Sequence, residues 1–274
     1  MTRPAGTPIA LPLRLWFVFE VLFGVGAVLT IALSPGETAH NFAWPVQPVV
    51  MAAVLGAYYI SSALLFVLPL FARRWEMIRV MVLPAALFST AELAATFLHW
   101  DKFSVGTTPF YVWLASYLLP PPIFVGGYLY QQWRARRLGP AAPADPLAPD
   151  ARRALLHWGA LLALPAALIF VFPSLLTALA PWAMTPLTAR ALAGWLLAAG
   201  ALMLSMAREN HRAGVLVGTP LLLLMFPAVT LQIARFSDQV NFANAALFVG
   251  YGVTLVAFAI GVYLVRGPWR EALG

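Results

Sequence analysis

The chain has 274 residues, of which 62% are hydrophobic and 10% charged, with a formal charge of +7 and a mean hydropathy of +0.82. Soluble domains carry about 25% charged residues, so the polar side chains needed to cover a globule in water are missing. A soluble enzyme, a nucleic-acid-binding module and a disordered chain are thereby excluded. The expected fold class is all-α, a polytopic membrane protein whose first partner is the lipid bilayer.

Crossing about 30 Å of hydrocarbon takes roughly 20 apolar residues in a helix. Eight stretches meet that length: 15–33, 49–71, 80–99, 109–131, 154–175, 188–206, 214–234 and 243–265. The first has the basic flank of a secretory signal in Arg3 and Arg14. Its apolar run exceeds the roughly 7–15 residues of a signal core, so it reads as a retained helix. In the fourth, Pro120, Pro121 and Pro122 remove three amide donors and free the carbonyls of Ser116, Tyr117 and Leu118. Backbone freed at that depth is either a packing kink or the wall of a cavity.

Fourteen of the 17 basic residues lie at the two ends of the chain or in the connections after the second, fourth and sixth stretches. Only Lys102, Arg190 and Arg235 lie on the other side. Basic loops are retained in the cytoplasm, so both termini are expected there, with the protein multi-pass in the cell inner (plasma) membrane. The same placement explains the positive charge without a nucleic-acid partner.

Sliding the chain against itself by 138 positions pairs Arg14 with Arg152, Pro35 with Pro173, Trp44 with Trp182, Pro48 with Pro186 and Gly56 with Gly194. Small slips then pair Ala72-Arg73 with Ala207-Arg208, Pro84 with Pro220 and His99 with Arg235. The expectation is a duplication: a first four-helix repeat over 10–133, a cytoplasmic Ala/Pro-rich linker over 134–150 and a second repeat over 151–270. Four spans per half leave the repeats parallel, related by an axis along the membrane normal. The shared signature is Trp-x-x-x-Pro, in FAWPVQP (42–48) and PWAMTPLTAR (181–190). At these stretches the chain resembles bacterial multi-pass membrane proteins of uncharacterised activity that carry such a duplicated motif. The resemblance covers the loop and the start of the next helix in each half. It implies a multi-pass fold and brings no activity or functional residue.

Chemistry-bearing residues are few. Glu92, Thr96 and His99 follow i, i+4, i+7 spacing and share a helix face. An ionisable side chain at that depth costs about 2.5–3.5 kcal/mol on insertion scales, so it faces either a structural partner or a ligand. In the second half Gln232 and Arg235 match Thr96 and His99, and the expected ligand site joins all five residues between the halves, open to the outer face. A polar rim of His40, Trp44, Asp101, Trp182 and Asp238 is expected around it. Glu20 is a weaker candidate, close enough to the basic end to reach water or an arginine.

No cofactor is implied. There is no cysteine, no metal-ligating histidine pair at helical spacing, no phosphate-binding glycine loop and no nucleophile elbow. The leading expectation is a carrier or binding protein for a small amphipathic or lipid-like molecule, more readily a non-enzyme than an enzyme. The alternative is a non-catalytic structural or accessory subunit of a membrane complex.

Overall fold

The computed structural model describes residues 6–138 and 145–272, with side chains described as far as Arg266. Arg3, Pro140 and Pro143 lie outside the described residues, as does the side chain of Arg270. The architecture is all-α. Eight helical spans are long and apolar enough to cross a membrane, and the described residues include no strand beyond an isolated bridge between Pro8 and Arg74. The spans are α1 (Leu11–Leu33), α2 (Val49–Phe71), α3 (Trp75–Leu98), α4 (Thr108–Leu138), α5 (Pro149–Val171), α6 (Pro186–Glu209), α7 (Arg212–Arg235) and α8 (Ala245–Ala272).

Most helices outrun their apolar stretch, and at three of them a side chain outside it caps the terminal amides. Thr185 and Thr188 form a reciprocal capping box that starts α6 two residues earlier than expected. Thr107 caps α4, and the ring nitrogen Nδ1 of His211 accepts from the Gly214 amide to cap α7. The fifth span ends at Val171 rather than 175, since Pro173 disfavours helix in the residue before it. Helix also claims the first residues of the expected linker. The second piece of α4 runs to Leu138, and α5 begins at Pro149.

Two spans are irregular. The last turn of α1 (Val28–Leu33) is π-helical. The prolines break α4 into Thr108–Leu118 and Pro120–Leu138.

Four helices form the centre and four surround them. In α2, 72% of the most apolar window is buried, against 17% in α5; α3, α6 and α7 belong with α2, and α1, α4 and α8 with α5. The strongest central contacts pair α2 with α7 and α3 with α6, so the two halves of the chain interlock. Outside them, α1 packs on α2, α4 on α3, α5 on α6 and α8 on α7. Small residues allow the approach, since lipid is as apolar as leucine and association in a bilayer relies on packing. Gly56 abuts the backbone of Ala32, and Gly159, Ala163 and Gly200 bring α5 against α6.

Arginines satisfy helix-end carbonyls that hydrocarbon would leave unpaired. Arg14 donates to the carbonyls of Ala72 (2.7 Å) and Leu70 (3.3 Å), and Arg152 donates to that of Ala207 (3.0 Å). At the other end of the bundle Arg235 donates to the Ala32 carbonyl at the π-turn (3.0 Å), and Arg190 to that of Phe170 (3.0 Å). An Arg79–Glu209 ion pair ties α3 to the end of α6.

Candidate functional site

The contacts of α1 with α4 are slight, and Gly24 and Gly26 of α1 have no atom within 4 Å of a Cβ position. Between the two helices lies a cavity of about 490 Å³, bounded by α1, α2, α3, the first piece of α4 and Trp195 of α6. That volume is in the range of small-molecule sites. Val25 and Leu29 of α1 and Val112 of α4 line it and are also exposed on the bundle surface, so it opens sideways where acyl chains would lie. Asn41 and Thr108 mark its end at the loops; Glu20 and Phe66 lie deeper. From Thr30 to Glu20 is about 15 Å along α1, at 1.5 Å per residue.

The wall is mainly apolar and contains a cluster of aromatic rings. Trp195 packs against Phe88 (ring centroids 4.1 Å apart) and edge-on to Tyr59 (5.0 Å), while Tyr117 packs on Trp113 (4.3 Å). Polar groups are sparse and specific. The hydroxyls of Tyr59 and Tyr117 are 2.6 Å apart, joining α2 to α4. Oε1 of Glu20 and Oδ1 of Asn41 are buried without a hydrogen-bond partner. Ser116 and Tyr117, whose carbonyls the proline triplet frees, line the cavity, so the break in α4 lies at its wall.

The residues singled out from the sequence fall into separate groups. Glu92 is 1% exposed, on the seam between α3 and α6, where it fills the space a side chain at Gly194 would need. Both its carboxyl oxygens lack a hydrogen-bond partner, and it does not line the cavity. Thr96 donates to the Glu92 carbonyl (2.8 Å) and accepts from Nε1 of Trp113 (2.9 Å), which connects it to the cavity wall. Gln232 and Arg235 do not meet Glu92 or His99 through any hydrogen bond or ion pair among the described residues. Arg235 donates to Gln232 Oε1 (2.7 Å), and both donate to the Ala32 carbonyl. The physical reason is the π-turn, which presents an unpaired carbonyl to α7.

His99 meets Arg190 of α6 instead, with Nη1 to Nε2 at 2.6 Å. A guanidinium only donates, so this contact requires Nε2 as acceptor and a neutral imidazole. Burial and then the Arg190 charge hold the His99 pKa below its usual value.

The expected rim is uneven. His40 and Asp238 are exposed, and Asp101 is exposed and paired with Lys102 at 2.8 Å. Trp44 is buried among Phe42, Phe103 and Trp113. Nε1 of Trp182 contacts Met51 Sδ at 3.2 Å. No group of three or more His, Asp or Glu gathers among the described residues.

Tyr59, Tyr117, Trp113 and Trp195 were not singled out from the sequence. A signal was present in Tyr58-Tyr59 and Ser61-Ser62, four polar-tipped residues inside an apolar span, and in Ser116-Tyr117 just before the proline triplet. Comparison of the chain with protein-family models, with curated proteins and with solved structures finds no match.

Proposed function

We propose that the protein is a multi-pass carrier or binding protein for a small amphipathic or lipid-like molecule, held in the cavity beneath α1 and α4. The observation that carries this reading is the cavity itself: an apolar space of about 490 Å³ with a cluster of aromatic rings in its wall, open sideways and furnished with a few unpartnered polar atoms. A molecule with an apolar body and a polar group matches both features. The seam between the halves is closed around Glu92, so the ligand site belongs on the cavity side, with Thr96 and Glu92 behind its wall. A closed seam also suits a structural subunit of a larger complex, but that role has no need of an aromatic cavity.

The proposal extends to origin and orientation. Two parallel four-helix repeats are supported by Arg14 on the Ala72 carbonyl and Arg152 on the Ala207 carbonyl, since the register of the sequence pairs both the donors and the acceptors. The pairing of α2 with α7 and of α6 with α3 is what a twofold relation between the repeats requires. The 14-to-3 division of basic residues supports cytoplasmic termini in the inner membrane.

Native mass spectrometry of the purified protein tests the reading. Wild type is expected to retain a small molecule through purification, and Ala63→Trp, which fills the cavity, to lose it while keeping its melting temperature. Wild type carrying nothing, or the same adduct on the filled variant, would overturn it.

A further inference from the structure

We infer that the molecule taken by this cavity is a cation, a lipophilic amine or quaternary onium compound whose charge sits beside Glu20. The inference rests on the cavity being a ligand site and adds the sign of the ligand's charge. Among the described residues lining the cavity, Glu20 is the one carboxyl group, and no Lys, Arg or His accompanies it. Its Oε1 is buried and makes no ion pair, and the neutral indole N–H of Trp16, four residues earlier on α1, is the side-chain donor beside it. The nearest basic residue on α1, Arg14, is turned to the carbonyls of Leu70 and Ala72 at the helix ends and lines no part of the cavity.

A second carboxyl group, Glu92, is buried on the seam behind the wall, also without a hydrogen-bond partner. No Lys, Arg or His lines the cavity to compensate either carboxyl group. In a medium of low polarity an uncompensated carboxylate is costly, and one positive charge at contact distance offsets it far more than it would in water.

The walls suit the same sign of charge. Aromatic faces attract organic cations through the ring quadrupole, with tryptophan and tyrosine the strongest, and the attraction grows when the cation has shed its water. Tyr59, Tyr117, Trp113 and Trp195 all border the cavity. An anion would meet the Glu20 carboxyl group, with no lining Lys, Arg or His to hold it.

The test is equilibrium binding of two probes of the same shape and opposite charge, tetraphenylphosphonium and tetraphenylborate, to the full-length protein in a neutral maltoside detergent. Uncharged triphenylmethanol is the third probe. Wild type is expected to bind the phosphonium at least about tenfold more tightly than the borate, the scale of one to two desolvated cation–aromatic contacts. Glu20→Gln should lower phosphonium affinity by about tenfold and leave triphenylmethanol unchanged. Borate binding as tightly as phosphonium in wild type overturns the cation assignment without recourse to any variant. Phosphonium binding unaffected by Glu20→Gln overturns it too. In either case, triphenylmethanol binding that Ala63→Trp abolishes leaves the cavity standing as a neutral-ligand site. Failure of all three probes to bind overturns both the charge and the site.

Discussion

The first and fifth spans are alike in hydropathy and both peripheral, yet they meet their neighbours differently. Against α6, α5 closes completely: a Cβ placed at Gly200 would lie 2.7 Å from the Ala163 amide nitrogen and the Gly159 carbonyl oxygen. Along α1, by contrast, Gly24 and Gly26 have nothing within 4 Å of where a Cβ would be. Tight contact on α2 comes at the π-turn, where Ala32 meets Gly56. A glycine in a membrane helix therefore becomes an interface only when another backbone arrives at it. The same contrast holds for chemistry. In the register of the proposed duplication, Glu20, Tyr59, Glu92 and Tyr117 correspond to Trp158, Leu197, Ala228 and Gly252, so none of these carboxyl and phenol groups recurs in the second half.

The largest expected effect tests that packing contrast directly. Gly200→Ala should destabilise by about 1–3 kcal/mol, because the methyl group must displace backbone. Gly24→Ala should be neutral or stabilising by up to about 1 kcal/mol, the usual gain of alanine over glycine in a helix. Thermal unfolding in detergent measures both, and equal losses would mean that α1 is packed as tightly as α5.

Glu92→Met comes next. Removing an unpartnered buried carboxyl group should raise stability by about 1–3 kcal/mol. A lower melting temperature would reveal a bonding partner and return Glu92 to a structural role.

Arg14→Ala and Arg152→Ala should each cost about 1–2 kcal/mol, the worth of a charge-assisted hydrogen bond to a helix-end carbonyl. Losses that match within about 0.5 kcal/mol fit two copies of one device. A loss at only one site would argue against the repeat.

The smallest effect is acid sensitivity at the contact of His99 with Arg190. The folded pKa of His99 lies below its unfolded value near 6.5, so the neutral ring stabilises the fold. That contribution is complete above about pH 6.5 and is lost as pH falls through the lower folded value. Melting temperature followed from pH 8 to pH 5 should therefore fall less steeply in His99→Gln than in wild type. His211, lowered by burial and by Arg79, titrates with the same sign in both proteins. The difference between the two curves isolates His99.

Particular residues mark how far the sequence can be read. The second span was legible to the residue, as 49–71, because Pro48 before it, Arg73 and Arg74 after it and the apolar run between are local properties. The break at Pro120 was legible for the same reason, as three missing amide donors do not depend on neighbours. Glu92 was recognisable as a costly group at depth, and it is buried. Its supposed partners were misplaced, since helix-face arithmetic cannot foresee that a π-turn in α1 would offer its carbonyl to Gln232 and Arg235. The cavity was missed because it depends on how closely α1 meets α4.

Hydropathy and charge along the chain thus suffice for the all-α class and the eight crossings, since insertion into lipid is settled segment by segment by transfer of apolar side chains and pairing of backbone within each helix. Which four helices are central, and where a gap remains, follow from assembly. A side chain facing lipid and one facing protein are equally apolar, so the pattern of residues carries little of that distinction, and the fit of small residues against backbones across helices makes the choice.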